Sequence, residues 1–379
     1  MQKKRLLLVS LSHFWVDSYA TMLTPVLPLV IKRLDLSLTY AGLLVSIFSL
    51  ASLSQPLMGL WGDRMRQRHL ILGGILLAAV FTPLLGIVSS YGMLILVLVL
   101  GGLGVHAFHP QAFTLAGELS KERRSFGVAL FSFGGTSALG LTPLWMAYFV
   151  GNFGLERLPL IALPGLFTLF LVFKFVPLGN PYLYQQQRTS VLQSLSGQIK
   201  PLLIITLVVT LRSITSINFG VYLTVLGDER GLSMMDYNLL LTVYTATGVV
   251  GNLVTGYLAD RMNSKTLVWS TVLLAAPALY GFLLTDGILA YMLLALGGCM
   301  ILASNSILVA MAQELAPENA GLASSLPLGF SWGLAGLTLP LFGHLADQAG
   351  VIEALKYLSL LPLLTFLLAL FLPPRKPHH

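Results

Sequence analysis

The sequence predicts an all-α polytopic membrane protein, with twelve transmembrane helices in two pseudo-symmetric six-helix bundles. Three observations carry this. Of 379 residues, 56% are apolar and 10% are charged, against roughly a quarter charged in ordinary soluble domains. Apolar runs of about 20 residues, each enough to cross a ~30 Å hydrocarbon core, recur along the chain between short polar turns. Two sequence matches recur at nearly one offset. A soluble chain of this length would form two or three domains, and 22 basic and 15 acidic side chains are too few to cover their surfaces.

The elements follow in order. Span 1 is placed at 6–32, after Lys3, Lys4 and Arg5 and before Lys32 and Arg33. It contains His13 and Asp17, continues past Pro25 and Pro28 and has no small-residue cleavage site, so it is no signal peptide. Span 2 (38–61) ends at Asp63 and Arg64, and span 3 (69–89) begins after Arg66 and Arg68. Span 4 (91–117) stops at Glu118 and Lys121, span 5 (125–150) precedes Arg157, and span 6 (157–177) carries Lys174 near its end. Residues 178–199, with Gln185, Gln186, Gln187, Arg188 and Ser-rich flanks, form the long polar interval and read as a cytoplasmic linker. Span 7 (200–226) starts at Lys200 and stops before Arg230, and span 8 (235–258) leads into Arg261. Spans 9 to 12 are placed at 265–285, 287–313, 319–343 and 350–372, before Arg375 and Lys376. The domains are therefore residues 1–177, a linker at 178–199, and residues 200–377.

With the N-terminus inside, sixteen Lys and Arg fall on the cytoplasmic side and five (Lys32, Arg33, Arg157, Arg230 and Lys356) on the other, leaving Arg212 within a span. That asymmetry predicts a multi-pass protein of the cell (inner) membrane with both termini cytoplasmic. The net charge of +7 is scattered between apolar runs with no aromatic-interleaved stripe, which argues against nucleic acid as a partner. One cysteine, Cys299, excludes an internal disulfide.

The internal repeat is specific. Gly59-Leu-Trp-Gly-Asp63-Arg64-Met65 recurs as Gly256-Tyr-Leu-Ala-Asp260-Arg261-Met262, an offset of 197 residues. Leu100-Gly101-Gly102, Glu118-Leu119 and Glu122 recur as Leu296-Gly297-Gly298, Glu314-Leu315 and Glu318, an offset of 196. Two matches at one spacing indicate duplicated six-helix units, and parallel halves related by an axis along the membrane normal are a transporter architecture. The substrate site is then expected between the halves at mid-membrane.

The repeated Gly-x-x-x-Asp-Arg loops and the six-linker-six layout resemble the major facilitator superfamily. In place of the family's following Gly-Arg-Lys, this chain has Arg66-Gln67-Arg68 and Asn263-Ser264-Lys265. Within that superfamily, His13-x-x-x-Asp17, Gln55-Pro56-x-x-Gly59 and Gly104-x-x-x-Phe108-His109-Pro110 are similar to the fosmidomycin resistance family. Gln111 stands where that family commonly has an acidic residue, and Thr142-Pro143 where it has Gly-Pro. The resemblance implies proton-coupled efflux of a small amphiphilic or anionic compound such as a fosmidomycin-like drug; no cofactor is expected, and a monomer is the default.

The residues also speak for themselves. Asp17 lies ~16 Å along span 1, near the midplane, with His13 one turn away on the same face. With span 4 centred near residue 102, His106 lies ~6 Å from the midplane, level with His13, and His109 a turn further. An ionisable residue at that depth faces a cavity or a partner. The set His13, Asp17, His106 and His109 therefore reads as proton-coupling, with a His–Asp hydrogen bond that locks helix packing as the alternative. Arg212, deep in span 7, is suited to an anionic substrate; a salt bridge to Asp17 is the competing assignment. Asn218, Asn305 and Gln111 are candidate polar contacts to substrate, with a packing hydrogen bond as the alternative for each asparagine. Gly59, Asp63, Arg64 and Glu118, with their copies Gly256, Asp260, Arg261 and Glu314, sit at cytoplasmic helix ends and read as gates. The glycines of spans 5 and 11, including Gly134 and Gly135, read as close-packing positions. Three histidines and an aspartate also suit a divalent-metal carrier, and proton-coupled uptake of an organic anion is a further alternative. No HExxH, GxSxG, paired intramembrane carboxylates or nucleotide loop is present, so the chain is not read as an enzyme.

Overall fold

The computed structural model describes residues 2–53, 67–120, 124–176, 197–259, 261–315, 323 and 326–373. Gln55, Pro56, Gly59, Asp63, Arg64, Asp260 and most of the 178–199 linker lie outside them. Among the described residues the regular structure is entirely helical: α1 Lys3–Thr21, α2 Leu23–Leu34, α3 Leu38–Ser52, α4 Gln67–Phe81, α5 Tyr91–Ser120, α6 Arg124–Phe153 and α7 Ala162–Phe175. There follow α8 Ile199–Glu229, α9 Met234–Ala259, α10 Ser264–Leu284, α11 Gly287–Leu302, α12 Asn305–Leu315, α13 Ser331–Gly336, α14 Leu339–Ala349 and α15 Val351–Ala369. Ten stretches are long and apolar enough to cross a membrane. Together with α3 and the interrupted stretch 326–349, helices occupy all twelve expected places.

Three spans expected as single helices are broken, and prolines account for two of the breaks. Span 1 is interrupted at Met22, where Pro25 has no N–H for the Thr21 carbonyl. Span 11 is interrupted near Thr338, where Pro340 enters the first turn of α14. The missing N–H of Pro340 releases the Gly336 carbonyl, and Ser46 Oγ donates to it at 2.7 Å. Span 10 parts between Leu302 and Asn305 without a proline.

Outward faces are apolar, as lipid requires: Phe167, Phe170 and Phe173 on α7 are each more than half exposed. Many hydroxyls inside the helices bond to the preceding turn, with Ser10 donating to Leu6 O, Thr206 to Leu202 O and Thr255 to Gly251 O. This pairing onto the preceding turn lets polar residues sit in apolar helices.

The chain divides into two compact units, Met1–Asp35 with Leu50–Gln186, and Leu36–Ser49 with Gln187–His379. In the first, α6 packs closely along α1, and a Cβ on Gly134 would overlap the Ser10 carbonyl. Tyr19 donates to Ile161 O at 2.8 Å. In the second, Leu202, Ile205, Val208 and Val209 of α8 bury against Ile307, Leu308 and Met311 of α12.

The second unit also holds the first turns of α3. Tyr222 Oη donates to Leu38 O and Leu339 O. Asp347 accepts from the Leu38 and Thr39 backbone N–H groups at 2.8 and 3.0 Å and from Thr39 Oγ1 at 2.6 Å, so α14 adds to the capping of α3, where Ser37 Oγ accepts from the Tyr40 N–H at 3.4 Å. Burial alone would raise the Asp347 pKa, but these hydrogen bonds hold it below the ordinary carboxylate range. A depressed native value means that the cap's stabilisation is complete above the unfolded value, about 3.9. It is lost as the pH falls through the native one. Asp347→Ala is expected to cost about 1 kcal/mol. Melting curves should show a gap from the parent chain that is constant between neutral pH and about pH 5 and closes in stronger acid.

Candidate functional site

The first unit gathers three ionisable side chains predicted from sequence into one cluster. Asp17 and His13 are one helical turn apart on α1, and His13 Nε2 lies 3.2 Å from Asp17 Oδ2. His109, from α5, brings its Nε2 within 2.9 Å of Asp17 Oδ1. One carboxylate is thus held by two imidazoles, one on each oxygen.

Both rings are fixed from behind. His13 Nδ1 lies 2.8 Å from the Phe131 carbonyl of α6, and its ring stacks on Phe131 at 4.0 Å between centroids. His109 Nδ1 lies 2.7 Å from the Val105 carbonyl, one turn back on α5. Phe108 and Phe113 complete the aromatic surround of His13. His13 is 4% exposed, whereas Asp17 and His109 are 17% and 19% exposed. Asp17 and His109 are thus partly exposed while His13 is buried.

His106 is buried one turn earlier on α5 and is not part of the cluster of metal-capable donors. The depth argument had placed it level with His13. Its centre for span 4, near residue 102, was too early: α5 runs from Tyr91 to Ser120, which puts its midpoint between Val105 and His106 and brings His109 to within ~5 Å of it.

Gly135 was assigned to packing alone, yet a Cβ there would overlap Asp17 Oδ2 and His13 Nε2. Its missing side chain makes room for the cluster. Gly135→Ala is expected to force the two groups apart at a cost of about 1–3 kcal/mol, the range for overpacking. Gly73→Ala, where a Cβ meets nothing within 4 Å, serves as the control in the same melting measurement.

Arg212 lies in the second unit and is fully buried. Nη1 donates to Ile301 O at 3.0 Å and Nη2 to Asn305 Oδ1 at 2.9 Å, across the break between α11 and α12. A cation there suits the free carbonyls and the negative end of α11. Nε has no hydrogen-bond partner among the described residues, and no described carboxylate lies within 4.0 Å of the guanidinium. Asp17 and Arg212 each have hydrogen-bond partners within their own unit. Asn305, a candidate substrate contact by sequence, accepts from Arg212. Asn218 does something else: its Nδ2 donates to Thr338 Oγ1 and Ile214 O, tying α8 to the break in span 11. Gln111 is buried on α5, two residues past His109.

Of the expected gates, Glu118 and Glu314 are exposed at their helix ends. Gly256 lies in α9, and the Arg261 guanidinium stacks over the Tyr257 ring at 4.4 Å. Their loop partners are outside the described residues.

The donor atoms of His13, Asp17 and His109 lie within 4.8 Å of one another, so by distance alone the cluster suits either protons or one divalent cation.

The family pattern described as Major Facilitator Superfamily matches this chain over residues 9–340 and 202–379. The chain belongs to that superfamily. It is a membrane transporter and not an enzyme. It is 26% identical to the fosmidomycin resistance protein of Escherichia coli (strain K12), over 97% of this chain and 92% of that one. It is 24% identical to the uncharacterized MFS-type transporter YfnC of Bacillus subtilis (strain 168), again over 97% and 92%. The quinolone resistance protein NorA of Staphylococcus aureus (strain MSSA476) matches at 25% over 60% of this chain and 55% of that one. Solved structures share the fold: the nucleoside transporter NupG superposes with a TM-score of 0.81 at 12% identity, covering 97% of this chain and 99% of that one. A D-xylose-proton symporter superposes at 0.79 and 14%, covering 98% and 97%.

Proposed function

We propose that this major facilitator transporter exports a small amphiphilic or anionic compound in exchange for protons, by alternating access in the cell inner membrane, with both termini cytoplasmic. The observation that carries the reading is the Asp17 carboxylate held by His13 and His109 inside an apolar helical unit. Imidazoles take up and release protons near neutral pH, and intramembrane carboxylates recur in proton relays; Asp17 and His109 are partly exposed. The resistance proteins among its relatives support a drug-like or phosphonate substrate.

In this reading His13, Asp17 and His109 handle the protons, with His106 on the route to them. Arg212, held by Asn305, supplies its remaining N–H groups to the substrate anion. Gln111 and Asn218 shape the surroundings, and the Asp63 and Asp260 loops with Arg64, Glu118, Arg261 and Glu314 act as gates. The working protein is a monomer of two bundles, 1–177 and 200–377, joined by the 178–199 linker.

The test is uptake into proteoliposomes. An imposed proton gradient should drive accumulation of a labelled phosphonate, and a protonophore should abolish it. Gradient-independent accumulation, or transport of zinc with no response to the phosphonate, would overturn the proposal, the second in favour of a metal carrier built on the same three residues.

A further inference from the structure

The proton-coupling reading is taken as given in this step, which supplies a proton count. Both histidines present Nδ1 to a backbone carbonyl, His13 to Phe131 and His109 to Val105. A carbonyl oxygen only accepts, so each Nδ1 carries a hydrogen. A neutral imidazole so fixed has a bare lone pair at Nε2. Each Nε2 nevertheless faces an oxygen of Asp17, at 3.2 Å and 2.9 Å. Lone pair against carboxylate repels at these separations, so each contact needs a hydrogen of its own.

Only two distributions satisfy both contacts. Either both rings are imidazolium and Asp17 is ionised, or Asp17 is a neutral acid donating to one ring while the other ring is imidazolium. Both hold the same number of protons above the deprotonated cluster. We infer that this cluster binds two exchangeable protons, held at the two contacts of Asp17 with His13 and His109.

The surroundings leave the count to these three residues. On α5, His106 is buried and outside the cluster, and Glu118 is exposed more than two turns beyond His109. From Gly127 to Phe153, α6 contributes Tyr148, which is exposed. On α7, Lys174 lies over the Phe170 and Phe175 rings at the helix end, and on α4 His69 is exposed at the start. Along α1 and α2, Arg5 bonds to Phe175 O, Tyr19 to Ile161 O and Arg33 to Gly86 O, while Lys32 sits at the last turn of α2. Among the described residues, no second carboxylate joins the cluster.

The experiment counts protons on the purified full chain, weakly buffered with an indicator dye and a metal chelator, between pH 9 and pH 5. His13→Gln and His109→Gln should each take up one proton fewer than the parent. Asp17→Asn should take up two fewer, because without the carboxylate neither buried ring holds its charge. A deficit of one or none in Asp17→Asn would overturn the inference, and none is what a packing lock gives. Histidine ¹⁵N spectra of the unsubstituted chain provide a check that no variant's folding can disturb. With two protons bound, at least one ring should be doubly protonated and the other either doubly protonated or accepting at Nε2 from the Asp17 carboxyl; two rings that both stay neutral contradict the count. No substrate is added, so a chain that binds two protons but transports nothing fails the transport proposal and leaves the count standing.

Discussion

Asp17→Asn is expected to reduce gradient-driven flux by roughly a hundredfold or more, the scale on which loss of a positioned proton carrier acts, while the protein still folds. The reason lies in what the substitution keeps. Asn brings an amide N–H that can donate to a bare ring Nε2, and both rings keep Nδ1 on the Phe131 and Val105 carbonyls, so α1, α5 and α6 keep their packing. It loses the charge that holds two hydrogens at Nε2 of His13 and His109. Flux down a substrate gradient should survive when accumulation against one does not. If the cluster only fastens helices, Asp17→Asn should instead lower the melting temperature and spare the coupling of whatever protein remains folded.

Arg212→Met is the second large effect, on ligand affinity. The guanidinium spends one N–H on Ile301 and one on Asn305 and keeps Nε unpartnered. A buried cation without a described carboxylate partner is costly to hold, and methionine fills similar volume without that cost, so the melting temperature of the unliganded variant should fall little or not at all. Binding of a phosphonate should weaken by roughly 10- to 150-fold, the equivalent of a charged hydrogen bond worth about 1.5–3 kcal/mol. Arg212→Lys restores the charge but not the planar fork and should recover only part of the affinity. Ligand-induced shifts in melting temperature measure all three proteins on one scale. A normal shift in Arg212→Met would confine the residue to closing the break in span 10.

Most of the fold is legible in the sequence because lipid imposes one simple rule, about 20 apolar residues per crossing, and the repeat at 196–197 residues fixes the pairing of halves. Breaks are harder to read. Pro25 and Pro340 mark two of them, but the partners that make them tolerable, Ser46 on Gly336 O and Asn218 on Thr338 Oγ1, come from elements distant in sequence. The break before Asn305 has no proline, and its partners, Arg212 on Ile301 O and Asn252 accepting from the Ser306 N–H, again come from other helices. The placing of α3's first turns with the second unit likewise depends on Asp347, more than 300 residues away.

The site was legible as a set of residues and not as a geometry. Asp17 and His13 at i and i+4 share a face by helical spacing alone. Which histidine of α5 meets them depends on the helix centre, and an error of one turn exchanges His106 for His109. Gly135 carried a readable signal, a glycine in a helix opposite an intramembrane charge. Nothing in the sequence ties it to Asp17 until α1 and α6 are packed together.

The most direct measurement is the lumenal pH of proteoliposomes when substrate is added on one side. Exchange for protons predicts that a phosphonate gradient moves lumenal pH in the direction opposite to its own flux, that the movement saturates with substrate, and that Asp17→Asn removes it. A substrate flux in the unsubstituted chain that leaves lumenal pH unchanged, or an unaltered pH response in Asp17→Asn, would contradict the assignment of the cluster.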